Sequence, residues 1–330
     1  MEFLYHYGLF LAKAVTIVLC VAFILLLVVS SRQKGQKAGL EFTDLSADYK
    51  DQQLELQHQL LDKKAFKQWK KSQPEDKTTP ADKQRLFVIN FNGSMDAHEV
   101  GALREEVTAV LAVAKPTDEV LVRLESPGGV VHGYGLAASQ LERLRQREIP
   151  LTVAVDKVAA SGGYMMACIA NTIIAAPFAI VGSIGVVAQL PNFHKLLKKN
   201  HIDVEQFTAG EFKRTVTVFA ENTDKGRQKF QQELEQTHLL FKEFVARHRP
   251  VLDIDQVATG EHWFGYQAKE LKLVDKLQTS DDYLLANYAE KHVVQVSFQT
   301  KAKLAERLGL AAAAAVHKAW LKLAQQMGWH

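Results

Sequence analysis

The sequence lacks the residues that mark several special classes of protein. Its two cysteines, Cys20 and Cys168, are too few for a disulfide framework or a four-cysteine zinc site. It also lacks an excess of one charge, because 40 Lys and Arg residues stand against 37 Asp and Glu residues, which argues against a dedicated nucleic-acid-binding domain. With 47% apolar and 23% charged residues among 330, the chain is typical of a globular protein with one large domain or two ordinary ones.

One uncharged apolar run lies near the N-terminus, from Ala14 to Ser30. It is about long enough to cross a bilayer core of roughly 30 Å as a helix, with Lys13 near one end. A cleaved signal peptide is the alternative, but the run is longer than a usual hydrophobic region, no basic segment precedes it and no Ala-x-Ala site follows it. We therefore predict that residues 1–38 form one uncleaved transmembrane anchor and not a buried core helix.

The charges beside this run bear on its orientation in a membrane. Arg32, Lys34 and Lys37 follow it directly, whereas Lys13 is the one Lys or Arg residue before it. Under the positive-inside rule, this distribution favours the cytoplasm for the bulk of the chain.

Residues 39–84 are polar and predict a stalk followed by a linker. Leucines between Leu54 and Leu61 have roughly helical spacing, and five lysines follow from Lys63 to Lys71. A solvated stalk helix and a contact with the membrane surface both fit this pattern. Pro74 and Pro80 lie in a stretch without large apolar residues, which indicates the linker.

Predicted strands and helices alternate over residues 85–300, the expected catalytic domain. Four helices are predicted: one from Val100, one around Leu136–Leu144, one that begins near Ser161 and one that begins near Asp224. Alternation of this kind predicts an α/β fold with a mainly parallel sheet and flanking helices. The four strands predicted from short apolar runs are Arg85–Phe91, Glu119–Leu124, Leu151–Val155 and Thr172–Ala176.

Two further stretches allow more than one interpretation. Residues 172–190 are almost uncharged and could be a second membrane span, but Pro177 and several glycines favour buried strands and turns. Residues 301–330 predict a C-terminal amphipathic helix, which is either a packing arm or an interfacial helix.

Two serine motifs are candidates for chemistry. Ser126-Pro127-Gly128-Gly129 follows a predicted buried strand, so its backbone N–H groups either hold a developing oxyanion or only turn the chain. Ser161 lies among small residues, Ala159-Ala160-Ser161-Gly162-Gly163-Tyr164, at a predicted helix start. There it is either open to a substrate or a helix cap.

Lys213 is the candidate base for such a serine. A lysine can take a hydroxyl proton where a dry environment lowers the pKa of its ammonium group toward neutrality. Phe207, Phe212, Val216 and Phe219 lie near it in the sequence and predict a partly dry site, although a solvated surface lysine is the ordinary alternative.

The order of these motifs resembles the signal peptide peptidase A family of membrane-anchored serine peptidases. The resemblance rests on SPGG, AASGGY, the GSIGV segment at Gly182–Val186 and the Gly-x-Phe-Lys stretch that ends at Lys213. The spacing from Ser161 to Lys213 and the closing Leu273-Val274-Asp275 are also similar to those of the family's short members. The resemblance covers about residues 86–277.

The resemblance implies a fold shared with the Clp protease and the crotonases, and a serine endopeptidase with a Ser–Lys dyad. Ser161 would be the nucleophile, Lys213 the general base and Ser183 the residue that orients the lysine. Backbone N–H groups around Gly128 and Gly129 would form the oxyanion hole, and no metal or cofactor would take part.

The resemblance also implies where the protein works and with what. Substrates would be membrane-derived or envelope peptides, and neighbouring subunits of a homo-oligomer would complete the sites, with no nucleic-acid partner. The family points to a single-pass protein of the bacterial inner membrane with a periplasmic catalytic domain. This conflicts with the flanking charges, and we follow the family.

Two residues depart from the family pattern. Glu125 stands where relatives often have Asn, which could add a charge near the cleft, and Lys272 replaces a common Gly without an expected effect. Three rival functions stay open: a crotonase-like acyl-CoA enzyme, a non-catalytic membrane assembly factor, and a Ser–His pair that uses His132.

Overall fold

The computed structural model of the chain describes residues 5–11, 13, 15–17, 39–72 and 83–299. Two compact units are present, one of residues 1–39 and 299–330 and one of residues 40–298. In the first unit, the described residues between 5 and 17 are helical. No helix over the described residues is long and apolar enough to cross a membrane. Most of the predicted anchor run and all of the predicted C-terminal helix lie outside the described residues.

A seven-stranded sheet lies at the centre of the second unit. Its strands are Gly39–Asp44 (β1), Arg85–Asn92 (β2), Glu119–Glu125 (β3), Leu151–Val155 (β4), Thr172–Ala175 (β6), Lys276–Leu277 (β9) and His292–Gln299 (β10). Their order is β1-β10-β2-β3-β4-β6-β9, and every neighbouring pair from β10 to β9 is parallel. The predicted α/β fold with a mainly parallel sheet is confirmed.

A second sheet of three strands lies beside it, in the order β5-β7-β8. These strands are Val158–Ala160 (β5), Ile180–Gly182 (β7) and His262–Phe264 (β8), with β5 and β7 parallel and β7 and β8 antiparallel. The stretch 172–190 therefore contains β6 and β7 and not a second membrane span.

The helices flank the larger sheet on both faces. They are Leu45–Leu60 (α1), Lys63–Ser72 (α2), Val100–Val113 (α3), Val131–Gln146 (α4), Gly162–Ala167 (α5), His194–Lys199 (α6), Asp224–His248 (α7), Ile254–Val257 (α8), Gly265–Glu270 (α9) and Ser280–Asn287 (α10).

The alternation of side chains along each strand divides the core in two. In β2, Phe87, Ile89 and Phe91 belong to the larger buried cluster, together with residues of α3, α4, α5 and α7. Leu86 and Val88 point the other way, into a smaller cluster that includes Leu284 of α10. Both faces of the sheet are therefore buried, which explains the nearly continuous apolar runs of its central strands.

The segment assigned to a stalk is partly built into the globular unit. Strand β1 joins the sheet beside β10, and Leu45 at the start of α1 packs against the smaller cluster. Ser46 is buried, where its hydroxyl accepts a hydrogen bond from the Val293 N–H at 2.9 Å. Residues 39–46 are thus fixed to the sheet by an edge strand and a buried polar contact, whereas the rest of α1 has no fully buried residue.

Candidate active site

Ser161 lies in a strained turn between β5 and α5. Its φ of 52° and ψ of −117° fall outside the regions that residues with a side chain normally adopt. Its N–H donates to the Gly182 carbonyl oxygen at 2.8 Å, and its hydroxyl does not cap the helix that follows. A strained serine on a sharp strand-to-helix turn is the arrangement that exposes a nucleophile in other hydrolases, whereas a helix-capping serine needs no such strain.

The glycine loop after β3 packs directly against this turn. Gly128 has a φ of +87°, and a Cβ placed on it would lie 2.7 Å from the Ser161 Cβ and 2.6 Å from the Ala160 carbonyl oxygen. On the other side of the turn, a Cβ on Gly162 would lie 2.4 Å from the Tyr134 ring. The structure therefore brings Ser161 and Gly128 together, and only glycine fits at 128 and 162.

A chain of buried hydroxyl groups fixes this loop. The Gly128 N–H donates to Ser126 Oγ at 3.0 Å, the Ser126 hydroxyl bonds to Tyr134 Oη at 2.5 Å, and Tyr134 donates to the Ser94 carbonyl oxygen at 2.8 Å. The predictions from sequence did not include Tyr134 or this role of Ser126. Burial raises the pKa of the Tyr134 phenol, which keeps the phenol protonated as a donor.

The hydrogen bond at Gly128 changes which amides are available for an oxyanion. The Gly128 N–H is already taken by Ser126. Neither the Gly129 N–H nor the Gly162 N–H donates a hydrogen bond to any residue in 39–72 or 83–299, so both are available. Gly162 was not predicted, although the first N–H groups of any helix are free of intrahelical bonds.

Ser183 lies close to Ser161 through the pairing of β5 and β7. Ala160 pairs with Gly182, so the two serines follow neighbouring ends of parallel strands. Ser183 also has a positive φ, 50°, and its hydroxyl donates to the Gly260 carbonyl oxygen at 3.4 Å. Nearby, the His238 imidazole of α7 lies 3.1 Å from the Ile184 carbonyl oxygen, a contact that the motifs did not indicate.

Lys213 is not joined to this cluster in the single chain. It lies on an exposed segment without regular secondary structure between α6 and α7, and its side chain makes no hydrogen bond or ion pair with any described residue. Phe207, Phe212 and Phe219 are also exposed, at 88%, 42% and 53%, whereas Val216 is half-buried. The expected dry site is therefore absent from the described part of one chain, because this segment packs on no core.

The two departures from the family pattern have clear structural settings. Glu125 forms an ion pair with Lys157 at 3.0 Å and lies on the opposite side of β3 from its neighbours Leu124 and Ser126. The expected charge near the cleft is therefore directed to the other face of the sheet. Lys272 has a φ of 62°, the left-handed region in which glycine is preferred, so the replacement is not neutral for the backbone.

The Leu273-Val274-Asp275 segment contributes the carboxylate partner of a buried arginine. The Asp275 carboxylate accepts hydrogen bonds from both terminal nitrogens of Arg249, at 3.0 and 3.1 Å, and from the Ile173 N–H at 2.7 Å. Arg249 is 5% exposed. This pair ties the end of α7 to strand β6, so the closing motif supports the fold and does not touch Ser161.

Other candidate groups lie apart from the serine. His132 is exposed in the first turn of α4 and makes no hydrogen bond with a described residue. In the part of the chain that the structure describes, no group of three or more His, Cys, Asp or Glu side chains is placed to hold a metal ion.

Comparison with known proteins gives the family. Two family models match, Peptidase family S49 N-terminal over residues 2–141 and Peptidase family S49 over residues 143–294. The "Probable protease SohB" of Haemophilus influenzae is 52% identical over 326 residues, which are 93% of this chain and 92% of that protein. The protein of the same name from Buchnera aphidicola subsp. Schlechtendalia chinensis is 49% identical over 304 residues, 87% of this chain and 100% of that protein.

One solved structure, of a variant of the 1510-N membrane-bound stomatin-specific protease, aligns with a TM-score of 0.44 and 12% identity over 64% of this chain and 97% of that chain. The family models and the curated relatives confirm the resemblance drawn from the ordered motifs. The chain belongs to peptidase family S49.

Proposed function

We propose that this peptidase is a serine endopeptidase that uses a Ser161–Lys213 dyad. The observation that carries the proposal is the strained backbone of Ser161, held against the Gly128 loop at the start of a buried helix. Backbone strain of this kind persists where the surrounding structure demands it, and it is concentrated at functional sites. A helix N-terminus beside the hydroxyl also favours negative charge that develops during the reaction.

In the proposed reaction, Ser161 Oγ attacks the peptide carbonyl carbon and its proton passes to the neutral Lys213 amine. The tetrahedral oxyanion accepts hydrogen bonds from the Gly129 and Gly162 N–H groups, while Gly128 and Ser126 hold the loop in place. The C–N bond then breaks as the Lys213 ammonium protonates the leaving amine. Water attacks the acyl-enzyme, Lys213 takes a proton from that water, and the acid leaves as Ser161 regains its proton.

We infer that a second copy of the chain completes the site. The segment around Lys213 carries apolar side chains that stay exposed in a single chain, Phe207 above all, although Lys225 and Lys229 lie over the Phe212 ring and Phe193 stacks on Phe219. Covering these apolar side chains would give Lys213 the dry environment that a neutral amine needs at neutral pH. A homo-oligomer in which a neighbour covers this segment, with Ser183 beside the amine, fits these exposures.

The proposal includes a membrane location. The apolar run at 14–30 would anchor the chain in the bacterial inner membrane, and the catalytic domain would lie in the periplasm. Substrates would be peptides released from membrane or envelope proteins, with small or hydrophobic side chains at the cleavage site. Protease accessibility of the catalytic domain in spheroplasts tests this sidedness, because a cytoplasmic domain would be protected.

The dyad is tested with three single variants of the full chain, Ser161→Ala, Lys213→Ala and Lys199→Ala. We expect the first two to lose labelling by a fluorophosphonate probe and turnover of a hydrophobic peptide by at least about a thousandfold. Lys199 is an exposed lysine of α6, and its variant should keep the wild-type rate. Retained turnover in Lys213→Ala would contradict the role of this lysine, and loss in His132→Ala instead would favour a histidine base.

Mixing the two inactive variants tests how the subunits contribute. If Ser161 of one copy works with Lys213 of another, co-assembly of Ser161→Ala with Lys213→Ala restores part of the activity. If both residues belong to one copy, the mixture stays inactive while each variant still assembles. A wild-type chain that is fully active as a monomer would exclude the proposed oligomer.

A further inference from the structure

Helix α2, Lys63–Ser72, has one face on which every charged side chain is positive. Within its ten residues lie five lysines and no acidic residue. At 100° per residue, the lysines fall within one arc of about 120°, Trp69 falls on the opposite side, and Phe66 lies between Trp69 and the edge of the lysine arc. All five lysines are exposed, and none forms an ion pair with a described residue: Lys63, Lys64, Lys67, Lys70 and Lys71.

The packing of α2 directs this lysine face outward. Phe66 contacts the His58 ring of α1 edge-to-face, with ring centroids 5.0 Å apart, and stacks with Trp69 at 5.9 Å. The carboxylate that precedes the helix, Asp62, is occupied by the N–H groups of Lys64 and Ala65 at 2.9 and 2.8 Å. Phe66 therefore faces α1 with Trp69 stacked beside it, and the lysine side chains are exposed and have no ion-pair partner among residues 39–72 and 83–299.

The helix does not need this face for its own stability. It has no fully buried residue, and like charges spaced three and four residues apart repel one another along the lysine face. An unpaired row of positive charges on a marginal helix is stabilised when an anionic surface lies against it. The charge pattern therefore points to a partner outside the described chain.

We infer that the lysine face of α2 binds the anionic headgroups of a phospholipid bilayer. Lysines contribute to attraction by an anionic membrane as separate point charges, which suits a diffuse layer of headgroups. Nucleic-acid sites instead combine basic grooves with exposed aromatic stacking surfaces, whereas here Phe66 packs on the His58 ring of α1 and Trp69 packs on Phe66. The apolar run at 14–30, proposed above as the anchor, would tether the globular unit that carries α2 to the same bilayer.

This inference rests on the membrane location proposed above and not on the Ser161–Lys213 chemistry. Its consequence is a second, electrostatic contact with the membrane besides the anchor. The contact would fix the start of the globular unit against the lipid surface, and it would weaken as salt screens the charges.

The test compares the full chain in nanodiscs of phosphatidylcholine alone with nanodiscs that also contain phosphatidylglycerol. Hydrogen exchange of the amides of residues 63–72, measured by mass spectrometry, reports the contact without reference to peptidase activity. We expect severalfold slower exchange in the anionic discs, reversed at roughly 1 M salt, where the screening length is about 3 Å. Equal exchange in both kinds of disc would overturn the inference, whether or not the protein cleaves peptides.

A matched pair of triple variants separates this face from general charge. Lys64→Gln, Lys67→Gln and Lys71→Gln together should abolish the lipid-dependent protection, while glutamine preserves the helix propensity. Lys195→Gln, Lys198→Gln and Lys199→Gln remove the same charge from exposed positions of α6 and should leave it intact.

Two results of the variant experiment would contradict the inference. Protection that survives the α2 variant, or that is lost equally in the α6 variant, would exclude a specific role for this face. Protection by an added RNA or acidic peptide in neutral discs, with none from phosphatidylglycerol, would identify a different class of partner.

Discussion

The Tyr134 side chain supports the candidate site in two ways, through the packing of its ring and through the hydrogen bonds of its hydroxyl. Its ring lies where a side chain on Gly162 would stand, and its hydroxyl joins Ser126 to the Ser94 carbonyl. One residue therefore supports both the turn that presents Ser161 and the loop that presents the Gly129 N–H. Removing the hydroxyl alone should separate these two contributions.

We predict that Tyr134→Phe keeps the turn but loosens the glycine loop. The change leaves the buried Ser126 hydroxyl without an acceptor, which should lower the free energy of unfolding by about 1–3 kcal/mol. If the Gly129 N–H holds the oxyanion as proposed, it is then less well placed, and kcat should fall by about tenfold or more. Peptide turnover and chemical denaturation of the detergent-solubilised chain measure the two effects.

Tyr283→Phe is the control for this prediction. Its hydroxyl also lies in a polar network, bonded to Glu119 and to Thr152, but in the smaller cluster on the other face of the sheet. It should lower stability with no change in kcat. Equal kcat values for the two variants would show that the Ser126 hydroxyl network does not position the loop.

At the scale of an element, the C-terminal end of α9 requires a backbone conformation that is unfavourable for the residue found there. The Leu273 N–H donates to the Ala268 carbonyl oxygen at 2.8 Å, a bond that closes the helix as in a Schellman motif and needs a left-handed residue at 272. Lysine fills that position with a φ of 62°. Arg249 Nη2 donates to the Lys272 carbonyl oxygen at 2.6 Å, so tertiary contacts hold the strained residue in place.

We predict that Lys272→Gly raises the free energy of unfolding by about 0.5–1 kcal/mol, because glycine adopts this conformation without steric cost. Lys276→Gly removes the same side chain from an ordinary position in strand β9 and should lower stability. Denaturation midpoints of the two variants check the difference. A loss of stability in both would show that the Lys272 side chain, and not its backbone, determines the effect.

Across the whole molecule, a buried carboxylate connects α3 to the last strand of the sheet. Glu106 is 6% exposed, and its side chain accepts a hydrogen bond from the Phe298 N–H at 2.8 Å. Burial raises the pKa of the Glu106 carboxyl to about 7, and the hydrogen bond only partly opposes this. The folded chain therefore binds this proton more tightly than the unfolded chain does.

This difference makes stability depend on pH in a defined direction. The stabilisation from the tightly bound Glu106 proton is fully present below the ordinary pKa of about 4.5 and is lost as the pH rises through about 7. We predict that Glu106→Gln, which keeps an acceptor for Phe298, matches the wild type near pH 4. Near pH 8 it should be more stable by on the order of 2 kcal/mol.

The neighbouring Glu105→Gln is the control, because Glu105 is exposed on the same helix. Denaturation of the three chains across this pH range provides the measurement. If the wild type is equally stable at pH 5 and pH 8, or if both variants behave alike, the ionisation of Glu106 is not the cause.

The sequence predicted the parts of this architecture that depend on local pattern. Strands β2, β3, β4 and β6 are apolar runs long enough to recognise, and their parallel order follows from the helices between them. The short strands β5, β7 and β8 have three residues each and no period, so their pairing comes only from tertiary contacts.

In the candidate site too, some features follow from local sequence pattern and others depend on tertiary contacts. Local motifs indicated Ser161 and the glycine loop, because glycine and small residues mark turns in the sequence itself, whereas Ser183 came from the family resemblance. The positive φ of Ser161 and the Ser126–Tyr134 hydrogen bond depend on residues distant in the chain, so no local pattern contains them. The role of Lys213 stays a prediction, because its surroundings in one chain are solvent.

The three-stranded sheet has a consequence for how sequences of this family can diverge. The Ser161 N–H is held by Gly182, and the space beside Gly182 is filled by the Trp263 ring, 2.9 Å from where a Cβ would stand. A change at position 263 therefore reaches the serine through the intervening backbone of Gly182 without any direct contact. Substitutions at positions 182 and 263 should be inherited as compatible pairs, so that a residue tolerated in one relative is harmful when transplanted alone into another.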